Sequence, residues 1–118
     1  MITKTVIIDG KEVTFAASAA IPRFYRLKFG RDILQDMRTI GKAMKGKDPE
    51  NSPIPVQILT LFENVSYLMA KHAGTPGIPN SVEKWLDGFN TFSIYEVFPE
   101  LQELWSENLK QINFPQKK

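Results

Sequence analysis

The sequence predicts a mostly α domain of the α+β class: a short N-terminal β-hairpin followed by four to five helices packed as a small helical body. Three observations predict it. β-branched residues concentrate before residue 16 around an Asp9-Gly10 pair, apolar residues then recur at spacings of three and four, and Gly and Pro punctuate the stretches between. With 118 residues, 42% hydrophobic and 24% charged, the chain fits one domain over residues 1–118 that buries roughly two-thirds of the surface its unfolded form exposes. That composition argues against disorder and collagen. The lack of Cys removes a disulfide scaffold, thiol redox chemistry and thiolate metal sites.

Thr5 to Ile8 and Glu12 to Phe15 read as two strands around the Asp9-Gly10 turn, where Gly accepts the positive φ of a tight hairpin, so residues 1–16 form the hairpin. A lone hairpin is marginal in water, and this one must pack on helices or pair with another strand. Residues 17–113 form the helical body. Ser18 is placed to cap a helix over Ala19 to Phe29 that Gly30 ends, with Pro22 tolerated in its first turn. Asp32 caps a second helix to about Lys45 with Ile33, Met37, Ile40 and Met44 on one face. After a Pro-rich loop, Ser52-Pro53 starts the third, which gathers Ile54, Ile58, Leu61, Phe62, Val65, Leu68 and Met69 on one side and is the core helix. Asn80 with Glu83 resembles a capping box for a short helix carrying Trp85 and Leu86. Ser93 with Glu96 opens a last helix to about Ile112, which Pro99 is expected to kink or split, and residues 114–118 read as a flexible tail.

Charge is uneven along the chain. Residues 1–47 hold ten basic and four acidic side chains and residues 48–118 hold five and nine, so the monomer is expected to be electrically two-sided. Arg38, Lys42 and Lys45 form a basic stripe on the second helix. Glu96, Glu100, Glu103 and Glu107 fall within a sector of about 60° on the last helix, opposite Val97, Leu101, Leu104 and Trp105. Solvated faces explain both stripes, and the sharper expectation is that they meet within a chain or between copies as a self-association surface.

No catalytic, cofactor-binding or metal constellation emerges. His72 is the only histidine, and without Cys or a second His it reads as a side chain tucked at a helix C-terminus, where its charged form suits the dipole. Gly41 to Gly46 lacks the phosphate-loop pattern, and Asn64-Val-Ser66 fits a glycosylation sequon but lies in mid-helix, so neither points to a site. Arg23, Arg26 and Arg31 mix with aromatics as nucleic-acid contacts do, but Ile21, Phe24, Tyr25 and Phe29 group on one helical face and amphipathicity accounts for the mixture. The aromatic cluster Trp85, Phe89, Phe92, Tyr95, Phe98 and Trp105 is mostly core, with Phe89, Phe92, Tyr95 and Trp105 kept as candidate partner anchors. No basic segment with an apolar stretch follows Met1 and no membrane span is present, so the chain reads as soluble, unprocessed and cytoplasmic.

Three segments together carry a resemblance: Val13 to Asp32 (VTFAASAAIPRFYRLKFGRD), Glu63 to His72 (ENVSYLMAKH), and Trp85 to Pro99 (WLDGFNTFSIYEVFP) leading to Glu103-Leu-Trp105. Over roughly residues 13 to 109 the chain resembles the tail assembly chaperones of long-tailed phages and prophages of Gram-positive bacteria. The resemblance implies a non-enzymatic protein of the host cytoplasm that coats the tape measure protein, keeps it soluble, yields to tail tube protein and is absent from the mature virion. It also implies a homo-oligomer and a longer frameshifted form, for which the closing Lys117-Lys118 allows an A-rich codon pair. Two other readings stand beside it. One is a small nucleic-acid-binding regulator using Arg23, Arg26 and Arg31; the other is a structural tail-completion or connector protein of the virion.

Overall fold

Asp9 and Gly10 both take positive φ, 55° and 74°, and close a two-residue turn between β1 (Ile2–Ile8) and β2 (Lys11–Ala17). The computed structural model describes residues 1–50 and 52–113. The strands are antiparallel, with Ile8 opposite Lys11, Val6 opposite Val13 and Ile2 opposite Ala17. Both strands run longer than the sequence indicated, because Ile2, Thr3 and Lys4 extend the ladder and Ala16 and Ala17 answer them. Among the described residues five helices follow: α1 (Ile21–Phe29), α2 (Ile33–Met44), α3 (Val56–His72), α4 (Val82–Leu86) and α5 (Ile94–Asn113). The α+β class expected from the sequence is the observed one.

α3 is the central element. It packs against β2 and against all four other helices, while α5 lies mainly under β1, so the hairpin rests on a two-helix floor. Phe15, Ile21, Tyr25, Ile33, Ile40, Phe62, Val65, Met69, Phe98 and Leu101 are fully buried between these layers. Ser66, Tyr67 and Ala70 are buried as well, which widens the α3 stripe over Val65 to Ala70, while Gln57, Thr60 and Lys71 stay exposed.

Four boundaries differ from the sequence reading, each for a local reason. α1 starts at Ile21 with Ala20 at its N-cap, because β2 continues to Ala17; the Ser18 hydroxyl accepts from the Ala20 N–H and meets Nε2 of His72 at 2.9 Å. α3 starts at Val56, since Pro55 holds Ile54 out of the helical region. The cap of α4 is Ser81, whose hydroxyl accepts the Lys84 N–H at 3.1 Å, while the Asn80 amide oxygen accepts from Lys71 at 3.0 Å. α5 runs through Pro99 without splitting. Asp32 caps α2 as expected, accepting from the Leu34 N–H at 2.9 Å, and Gly30 ends α1 at a φ of 70° that a side chain disfavours. Residues 114–118, read as a tail, lie outside the described residues.

Candidate interaction surface

α1 buries Ile21 and Tyr25 against the core, and its outward side carries two large apolar side chains among basic ones. Phe24 is 41% exposed and Leu27 72% exposed, one turn apart, with exposed Arg23, Arg26 and Lys28 beside them. The Phe24 ring leans on His72 at the end of α3, with centroids 5.4 Å apart, and the Lys28 ammonium lies 5.6 Å from the Tyr67 ring. Apolar area left in water next to guanidinium groups suits a partner that is itself apolar and acidic.

Behind this face the helix is anchored by a buried carboxylate. Asp36 of α2 is 1% exposed and accepts from the Tyr25 hydroxyl at 2.8 Å and from Arg31 at 2.8 Å through both Nε and Nη2. Burial by itself pushes the Asp36 carboxyl up, but the Arg31 and Tyr25 hydrogen bonds outweigh it and hold the group below its ordinary value. Burial, reinforced by the Asp36 charge, pushes the Tyr25 hydroxyl far above the usual phenol range. Arg31 is therefore a structural clamp. Of the three arginines read as nucleic-acid contacts, Arg23 and Arg26 remain on the open face and Arg31 is committed to Asp36.

His72 is the last residue of α3 and is half-buried there, tucked at the helix C-terminus as the sequence predicts. Burial, with the chain's amino-terminal charge adding to it, holds the imidazole below its ordinary value, so the neutral ring is favoured next to Ser18 and Phe24. This desolvation opposes the charged form that the helix dipole favours.

The aromatic anchors divide. Trp105 is buried in the core at 5% exposure, and its indole N–H has no hydrogen-bond partner among the described residues, so the structure removes it from the candidate anchors. Phe92 is half-buried in a stack with Phe62, Trp85 and Phe89 at centroid distances of 5.2 to 5.4 Å. Tyr95 is half-buried and its hydroxyl donates to the Ser52 carbonyl at 3.0 Å, which fastens α5 to the Pro-rich loop. Phe89 lines a mostly apolar cleft of about 290 Å³ with Val13, Pro76, Ile78 and Trp85, beside Lys11 and Lys84. The cluster is thus a core that opens at Phe89.

Part of the acidic stripe is met by a residue outside the basic one. Lys4 of β1 reaches Glu100 at 2.8 Å and also bonds Glu103, because α5 lies under β1, whereas Arg38 finds the Gln35 side chain at 3.5 Å. Arg38, Lys42 and Lys45 are exposed on α2, and Glu96 and Glu107 are exposed on α5. Positive charge from the first part of the chain is therefore laid on negative charge from the last, and the expected division into two charged sides is reduced at that point.

Phe24 shares a helical face with Ile21, Tyr25 and Phe29 yet lies at the rim of that face rather than in the core. A sequence signal for Leu27 was present: it falls on the arginine side of the α1 wheel, where an apolar residue has no core to enter. Among the described residues no three His, Asp or Glu side chains gather as a metal-holding group, and no helix is long and apolar enough to cross a membrane. Comparison with family models, with curated proteins and with solved structures returns no match for this chain.

Proposed function

We propose that this chain is a non-enzymatic phage tail assembly chaperone that coats the tape measure protein, keeps it soluble in the host cytoplasm and hands it to tail tube protein. The observation that carries the reading is the exposed α1 face, where Phe24 and Leu27 stand one turn apart among Arg23, Arg26 and Lys28. A face of that kind grips one side of an amphipathic helix, with the apolar pair supplying the contact and the cations steering acidic partners onto it. The cleft at Phe89 supplies a second apolar contact. The resemblance of residues 13 to 109 to such chaperones names the partner. Coating also requires weak contacts between copies, for which Arg38, Lys42 and Lys45 on α2 and the acidic residues of α5 supply opposite charges.

Co-expression with the tape measure protein of the same gene cluster tests the proposal. The expected result is a soluble complex with many copies of this chain per tape measure, lost when Phe24→Glu and Leu27→Glu are combined. An insoluble tape measure with this chain alone in the supernatant overturns it. Retention on DNA or RNA that falls steeply with salt would then favour the regulator reading through Arg23 and Arg26, and recovery in purified virions the connector reading.

A further inference from the structure

The two-residue turn at Asp9-Gly10 makes Ile8 and Lys11 a hydrogen-bonded pair, and such pairs recur at Val6 with Val13, Lys4 with Phe15 and Ile2 with Ala17. Thr3, Thr5 and Ile7 alternate with them and turn their N–H and C=O groups away from β2. The 2.9 Å contact between the Thr5 and Thr14 hydroxyls fits the closer side chains of a pair without backbone bonds. The sheet has two strands, and among the described residues no backbone hydrogen bond outside the ladder reaches Thr3, Thr5 or Ile7. One whole edge of β1 is open.

Folded proteins usually guard such an edge with lysines, a proline, a bulge or a covering element. β1 carries none of these on its outward residues. Its sequence, Ile-Thr-Lys-Thr-Val-Ile-Ile, is β-branched at every position except Lys4, and the Lys4 ammonium is drawn toward α5 by Glu100 and Glu103. Ile7 is 61% exposed on the outer face of the hairpin.

We propose that β1 is a dimerisation edge, pairing antiparallel with β1 of a second copy about a two-fold axis at Thr5. The strand is complementary to itself in that register. Thr5 faces Thr5 of the second copy and Thr3 faces its Ile7, so the N–H and C=O of each outward residue find partners. On the helix-facing side Lys4 meets Val6 rather than another Lys4, and each Lys4 keeps its own two glutamates. The exposed Ile7 packs on the Thr3 methyl, and the product is a two-fold dimer with a four-stranded sheet in the order β2, β1, β1, β2. The inference is independent of the tape measure reading, because the dimer forms from this protein alone.

Analytical sedimentation and residue-resolved amide exchange test it. The wild-type chain is expected to show a monomer–dimer equilibrium, with the Thr3, Thr5 and Ile7 amides gaining protection as concentration rises. Position 5 faces itself only in this register, so Thr5→Lys and Thr5→Glu each weaken the dimer by at least about tenfold in Kd through like-charge contact, and an equimolar mixture of the two restores it. A monomer at every concentration, or association that both variants leave unchanged, overturns the proposal. Amide exchange on the wild-type chain decides the matter without reference to how either variant folds.

Discussion

A single carboxylate, Asp36, holds α1 and α2 together at the residue scale, and its surroundings fix how it responds to mutation and acid. Arg31→Gln leaves the buried Asp36 carboxylate with the Tyr25 hydroxyl and solvent to answer it and, because the guanidinium is half-exposed, is expected to cost about 1.5–3 kcal/mol in urea denaturation. Asp36→Asn removes the charge itself and is expected to cost about 1.5–3 kcal/mol. Because the folded-state value of Asp36 lies below its unfolded one, the stabilisation is complete above the ordinary carboxylate range and is lost as pH falls through the lowered value. Urea midpoints followed into acid should therefore fall in the wild type and fall less in Asp36→Asn; equal slopes, or an Arg31→Gln cost under about 1 kcal/mol, would show that the network contributes little. The sequence revealed Tyr25 as core but not this network. Asp36 sits in the first turn of a helix, where acids are common for dipole reasons, and nothing in residue spacing shows that α1 folds Tyr25 and Arg31 onto it.

At the scale of elements, most of the architecture was legible because it rests on local chemistry. The Asp9-Gly10 turn, the Asp32 cap, the Gly30 stop and the α3 stripe each follow from a residue's own backbone preference or periodicity. What was not legible were starting points with two adjacent candidates. Asn80 and Ser81 both suit a cap, and the choice fell to Ser81 because Lys71 takes the Asn80 side chain. Thermal denaturation checks the assignment: Ser81→Ala should cost about 1 kcal/mol, while Asn80→Ala should stay within about 0.5 kcal/mol. The reverse order would return the cap to Asn80. At Ser18 the competing claim came from His72, 54 positions away, and no local pattern carries that distance.

For the whole molecule, the division between core and surface decides which aromatics meet partners. Trp105 is packed among Leu101, Leu104 and the other core residues, so Trp105→Ala is expected to destabilise the fold by about 3–5 kcal/mol, read as a lowered denaturant midpoint. A stable Trp105→Ala protein that loses only its partner would place this side chain on the binding surface instead. The aromatic content of residues 85–105 was visible in the sequence, but which members stay outside depends on how α4 and α5 lie on α3. The open face of α1 was hidden for the same reason, since a helix wheel fixes which residues share a side and not which side receives a neighbour.

The union of β1 with α5 also governs the order in which the protein matures on the ribosome. Lys4 and Glu103 are 99 positions apart, so the first strand to be made finds its floor only when the last helix has left the exit tunnel. Until then α3 can cover β2, but Ile2 and Val6 of β1 lack the α5 part of their floor and the outer edge of the strand stays open. A chain that ends before α5 therefore leaves the helix-facing side of β1 partly bare, and completion of α5 is what covers it.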